Sequence, residues 1–325
     1  MKHELTAGGA EPRELGAACR RVRGTGARKA AEIWKAVSGK VSRAMEKVMK
    51  AVFLVCGVLA IAFVLFVTVY LIIAGLPAIR KIGLVNFLFG KVWASTASDP
   101  RFGILPFILT SVYGTFGAIL IGVPVGLLTA VFLAKMAPKG LAAVVRPAVD
   151  LLAGIPSVVY GLVGMIVLVP FVRETFHLPD GANLFSAIII LAIMILPSII
   201  SVSETALLAV PKEYEEASLA LGATKTETVF KVSLPAASSG VATAIVLGIG
   251  RAIGEAMAVM MVAGNVANMP GIFKSVRFLT TAVASEMSYS GGLQRQALFS
   301  IALVLFGFIM VINLILNTLM KKARK

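Results

Sequence analysis

The sequence predicts an all-α polytopic membrane protein with about six transmembrane helices. Hydrophobic residues make up 58% of the 325 and charged residues 14%, with a mean hydropathy of +0.92. Those values lie far outside the range of water-soluble domains. The apolar residues are also gathered into runs of about 20 or more, the length that crosses a hydrocarbon layer. A third observation sets the orientation. Of the 31 Lys and Arg, 12 fall in residues 1–50 and four in the last five residues. Basic ends flanking apolar spans predict cytoplasmic termini in a plasma (inner) membrane, with attraction to anionic lipid.

The net charge of +15 does not point to nucleic acid, because no basic stripe with interleaved aromatics follows. Cys19 lies in the basic leader and Cys56 in an apolar run, so neither a disulfide framework nor a metal site is expected. The first apolar run begins near residue 51, too late for a cleavable signal, and reads as an anchor that stays. Residues 1–50 form a basic cytoplasmic leader, disordered in its first part. From about 28 to 50 it is either a helix on the membrane surface or a solvated tail.

The expected permease domain covers 51–320, ahead of a basic cytoplasmic tail at 321–325. Spans are expected at 51–76, 104–134, 148–170, 184–209, 236–263 and 296–320. Pro106, Pro124 and Pro156 interrupt the second and third, which membrane helices tolerate when neighbours re-satisfy the freed backbone groups. Gly122-x-x-x-Gly126 and Gly250-x-x-x-Gly254 predict close helix contacts. With the amino terminus inside, six crossings place the 135–147 and 210–234 connections in the cytoplasm as well. Arg80, Lys81, Lys91 and Arg101 lie in an outer loop, so the charge bias rests mainly on the termini.

Residues 211–235 (PKEYEEASLALGATKTETVFKVSLP) predict a helix–glycine–helix elbow between two spans. Pro211 suits a helix start, and Glu213, Glu215 and Glu216 suit the positive end of the helix dipole. Gly222 can end that helix, Thr224 with Glu227 has capping-box spacing, and Pro235 closes the second helix. Tyr214, Ala217 and Leu221 share one side, a face able to dock into a partner's groove.

Glu216-Ala217-Ser218, then Gly222, then Leu234-Pro235 resembles the "EAA…G…LP" loop of ATP-binding-cassette import permeases, with Ser218 in place of the usual second Ala. The resemblance implies a MetI-like fold, with these six residues coupling to ATP-binding subunits. Leu152–Gly161, Gly250–Asn265, Asn86–Trp93, Phe102–Pro106 and Leu279–Met287 resemble segments of phosphate-import permeases, of the PstC type more than the PstA type. The resemblance covers about 85–320 and implies several partners: a second homologous permease subunit, two ATP-binding subunits on the 211–234 elbow, and an external phosphate-binding protein.

Arg251 and Glu255, four residues apart, are expected on one face of the fifth helix. A charge at mid-membrane costs at least about 2.5–3.5 kcal/mol and so should face the bundle interior. The pair is either part of an oxyanion pathway, with Arg251 as the binding cation, or a buried ion pair that orients helices. Arg146 and Asp150 form a second i,i+4 pair, and Glu204 lies late in the fourth span; snorkelling or capping explains these three. Ser157 and Tyr160, beside Pro156, either line a pathway or pack.

No G-x-x-x-x-G-K-[ST] pattern occurs, so the chain is not expected to bind ATP phosphates or to be an enzyme. His3 and His177 have no metal-ligand neighbourhood, and no cofactor is expected. The readings left open are a phosphate permease, a permease for sulfate or molybdate, a PstA-type partner, and an ion channel or secondary carrier needing no ATPase.

Overall fold

The computed structural model describes residues 12–323, with side-chain surroundings for 45–316. The first eleven residues of the leader and the last two of the tail lie outside the described residues. Contacts divide the chain after Val67 into two units. Helix α1 (Pro12–Ile82) runs without a break through the leader and the first apolar run, so no interruption marks residue 50. Large apolar side chains along 45–67 are exposed, as a helix surrounded by hydrocarbon requires.

In the second unit, α2 (Leu84–Phe89) leads to an antiparallel hairpin pairing β1 (Trp93–Ala94) with β2 (Arg101–Phe102). There follow α3 (Leu105–Val131), α4 (Lys139–Gly154), α5 (Ser157–Val163), α6 (Val169–Thr175) and α7 (Leu184–Leu208). The elbow contributes α8 (Lys212–Ala220), α9 (Lys225–Thr228) and α10 (Leu234–Ala236). Then come α11 (Ser238–Gly254), α12 (Met257–Val262), α13 (Leu279–Glu286) and α14 (Gly292–Ala323).

Among the described residues, five helical segments are long and apolar enough to cross a membrane: Met45–Ile82, Leu105–Met136, Ser157–Thr175, Leu184–Leu208 and Gly292–Leu316. A sixth is the pair Lys225–Ala236 and Ser238–Gly254, bent by 72°. The third span starts at Ser157, not near 148. Pro156 bars its predecessor from helical geometry, Ile155 is extended (ψ 128°), and residues 139–154 become a separate helix.

Among the described residues three π-turns join these helices, at Phe132–Met136, Gly164–Leu168 and Val229–Ser233. Each ends two residues before a proline. In all three the residue just before that proline donates its N–H five residues back: Ala137 to Phe132, Val169 to Gly164, Leu234 to Val229. A proline offers no N–H and crowds the carbonyl four residues earlier, and the wider turn relieves that crowding. Proline alone is not sufficient, since Pro124, Pro147 and Pro197 sit inside α-helices. Pro235 therefore does not close the elbow's second helix as expected; the helix widens, passes it, and bends at Ala237.

The core is built around α7, whose Leu191, Met194, Ile195 and Ile199 are fully buried. Asn183 caps its start by accepting from Ser186 N (3.0 Å). Helix α3 approaches closely because a Cβ on Gly122 would lie 2.6 Å from Ile195 Cδ1, and one on Gly126 2.9 Å from Ile199 Cγ2. That glycine pair packs as expected. Gly250 and Gly254 do not, since among the described residues nothing lies within 4 Å of a Cβ built on either. Helices α5 and α12 meet at Gly161, where a Cβ would come 2.8 Å from Ala258 Cα. Gly161→Val is expected to force these two helices apart and cost about 1–3 kcal/mol, read as a lower unfolding temperature in detergent.

Candidate functional site

The elbow is built by local chemistry. Helix α8 begins after Pro211, one position later than expected, with Glu213 and Glu215 in its first turn. It ends at Leu221. Gly222 N donates to Leu219 O (2.9 Å) and Ala223 N to Ser218 O (3.2 Å), a Schellman stop. This stop needs the left-handed backbone of Gly222 (φ 89°), which costs glycine nothing. Thr224 and Glu227 form the expected capping box.

The two sides of α8 differ. Tyr214, Glu216, Ala217 and Leu221 are exposed, Leu221 at 90%. On the other side the Glu215 carboxylate pairs with Lys135 Nζ (2.5 Å) and accepts from Ser233 Oγ (2.9 Å). The Ser218 hydroxyl lies 3.0 Å from that of Thr228, giving the substituted Ala a polar partner. Leu234 packs among Val131, Leu207 and Val241, and Pro235 is exposed. Sequence reasoning assigned Glu215 only to the helix dipole and missed Lys135 and Ser233, whose proximity is not local.

Burial alone would raise the Glu215 carboxyl, but the hydrogen bonds from Lys135 and Ser233 and the charges of Lys135 and Lys212 outweigh it and hold it below its ordinary 4.5. A depressed carboxylate stabilises the fold above its unfolded value and loses that contribution as pH falls through the folded one. Proteolysis within 211–235 is therefore expected to accelerate as pH drops below 4.5, and to do so less in Glu215→Gln.

Inside the bundle the structure corrects the expected Arg251–Glu255 pair. Helix α11 stops at Gly254, and Glu255 is extended (ψ 128°), so the two residues do not share a helical face. No ion pair joins them among the described residues. Arg251 Nη1 donates to Ser198 Oγ on α7 (3.4 Å) and has no carboxylate partner there. Glu255 instead holds the break: Oε1 accepts from Ala258 N (3.0 Å), and its carbonyl accepts from Thr280 Oγ1 (2.7 Å). The other break, at Ile155-Pro156, is bridged by Tyr160, whose hydroxyl donates to Leu152 O (2.7 Å). Half-buried Arg251 thus lies beside an interrupted helix, with open space at Gly250 and Gly254 on the same helix.

Arg146 reaches not Asp150 but Glu204 on α7 (2.6 Å), which is 8% exposed. A larger polar cluster went unassigned from sequence. Glu286 accepts from Arg277 Nη1, Trp93 Nε1 (3.2 Å) and Gln294 Nε2 (3.0 Å), while Arg277 also donates to Asn265 O (2.7 Å). Glu286→Ala is expected to cost about 3 kcal/mol, because it strands a largely buried guanidinium. Asp99→Ala, which breaks an exposed pair with Arg101, is expected to cost at most about 1 kcal/mol. Thermal unfolding of the two variants checks both.

This arrangement of a helix–glycine–helix elbow between spans, and a cation beside a broken helix with no carboxylate partner among the described residues, coincides with a family match. The sequence pattern of the binding-protein-dependent transport system inner membrane components matches residues 122–325. The chain belongs to this family. It is a multi-pass permease subunit of an ABC importer, and ATP hydrolysis lies in separate subunits of such systems. The probable ABC transporter permease protein YqgH of Bacillus subtilis is 38% identical over 287 residues, covering 85% of this permease and 93% of that protein. The phosphate transport system permease protein PstC of Pasteurella multocida is 34% identical over 260 residues, covering 74% and 81%. Among solved structures, the inward-facing MetNI methionine ABC transporter matches with a TM-score of 0.54 at 22% identity, covering 68% of this permease and 95% of that chain. A bacterial alginate ABC transporter matches at 0.55 and 15%, covering 82% and 96%. Both likenesses speak to the MetI-like fold alone.

Proposed function

We propose that this permease passes inorganic phosphate inward across the plasma (inner) membrane, with both termini cytoplasmic. The observation that carries the reading is Arg251, a guanidinium inside the bundle without a carboxylate partner among the described residues. Keeping a charge there is costly, and a planar fork of donors suits a tetrahedral oxyanion. An open recess of about 540 Å³ with Lys81, Lys91 and Arg101 in its lining adds positive potential near the ends of the first and last spans, where it favours anion approach. The likeness to PstC proteins supports phosphate as the anion.

In this reading the exposed side of α8, with Glu216, Ala217 and Leu221, seats in an ATP-binding subunit, and Gly222 sets the turn behind it. Two such subunits serve this permease and a second, homologous one, and an external phosphate-binding protein delivers the substrate. ATP-driven closure moves the elbows and rocks the bundles between two accesses. Sulfate or molybdate transport, or a PstA-type role, uses the same fold. The assembled complex separates them: phosphate-loaded binding protein is expected to stimulate ATP hydrolysis, and sulfate- or molybdate-loaded protein is not. Transport by the purified chain without any ATPase would instead point to a channel or secondary carrier.

A further inference from the structure

One carboxylate oxygen of the elbow is shared between two spans. Glu215 Oε1 takes Lys135 Nζ (2.5 Å) from the π-turn that ends the Leu105–Met136 span. The same oxygen takes Ser233 Oγ (2.9 Å) from the π-turn Val229–Ser233 within the first half of the bent span. The group is sheltered: Ser233 is fully buried, and the side chains of Lys135 and Glu215 are 12% and 25% exposed. One turn further along α8, the Ser218–Thr228 contact fastens the same side to α9. The opposite side, where Leu221 stands out, is open. Helix α8 is therefore held along one side and open along the other, and both anchor points are π-turns, irregularities that recur at functional sites.

We propose that Glu215 is the clasp through which motion of α8 enters the permease, with Lys135 and Ser233 as positioning residues that carry it into the second and the bent span. The inference rests on the reading of the elbow as the ATPase docking segment. A push on the exposed side of α8 displaces Glu215. A sheltered ion pair resists separation more strongly than an exposed one, so Lys135 follows and the end of α3 moves with the elbow. Without the pair, α8 yields while the spans stay where they are. Hydrolysis then continues while import falls.

The test uses the whole transporter in proteoliposomes, with ATP hydrolysed per phosphate imported as the readout. Glu215→Gln and Lys135→Met are each expected to raise that ratio at least about threefold, the scale on which contacting residues couple, with the ATPase subunits still bound. The exchange Lys135→Glu with Glu215→Lys is expected to bring the ratio back toward that of the unaltered complex. If a single variant fails to assemble, recovery of assembly by the exchange supports the pair in the same way. An exchange that behaves as the sum of its two single changes, in coupling or in assembly, overturns the proposal, as does an unaltered ratio in both single variants. If the unaltered complex binds no ATPase subunits or shows no ATP-driven import, the docking reading itself fails, a different result from either.

Discussion

Arg251→Ala is expected to lower phosphate import by about 10- to 100-fold, the loss of one charge-assisted hydrogen-bonding group on the proposed ion pathway. Assembly should survive. Arg251 makes no ion pair among the described residues, and its contact with Ser198 at 3.4 Å is weak, so little of the fold depends on it. Arg251→Lys keeps the charge but not the planar fork and should fall between. Uptake measured beside the yield of assembled complex separates the two roles open at the outset. Lost uptake with intact assembly marks a pathway residue; lost assembly would mark a structural one.

Gly222→Trp is expected to abolish ATP-driven import, with a smaller effect from Gly222→Ala. The alanine meets no clash, since nothing lies within 4 Å of a Cβ there. Its cost is the left-handed backbone at φ 89°, about 1–2 kcal/mol for an L-residue. Tryptophan adds bulk next to the exposed Leu221, at the end of the helix proposed to seat in the ATP-binding subunit. Bulk in a seated interface removes affinity far beyond that strain. Co-purification of the ATP-binding subunits with each variant, alongside uptake, checks the prediction. Normal uptake by an assembled Gly222→Trp complex would refute the assignment of the elbow.

What could be read from the sequence was local. Span lengths follow from hydropathy within each run, and the elbow from Gly222 and the Thr224–Glu227 spacing, which act over a few residues. The break after Gly254 was not legible, because Gly-Glu-Ala carries no proline and its neighbours favour helix. It is fixed by Thr280, 25 residues on, which donates to the carbonyl of Glu255. The same distance in sequence hid Glu204 as the partner of Arg146, 58 residues away, and Trp93 and Ser95 around Glu286. The π-turns left a trace in Pro138, Pro170 and Pro235, yet Pro124 and Pro197 show that proline needs a permissive context.

The central claim, that this chain is the phosphate pathway of an ATP-driven importer, is tested most directly by radiolabelled phosphate accumulation. The chain is reconstituted in proteoliposomes with its ATP-binding subunits, a second permease subunit and a phosphate-binding protein. Accumulation is expected only when ATP and the binding protein are both present on their proper sides, unaffected by excess sulfate or molybdate, and strongly reduced in Arg251→Ala. Phosphate entry without ATP, or ATP-driven accumulation of sulfate or molybdate in preference to phosphate, would contradict it.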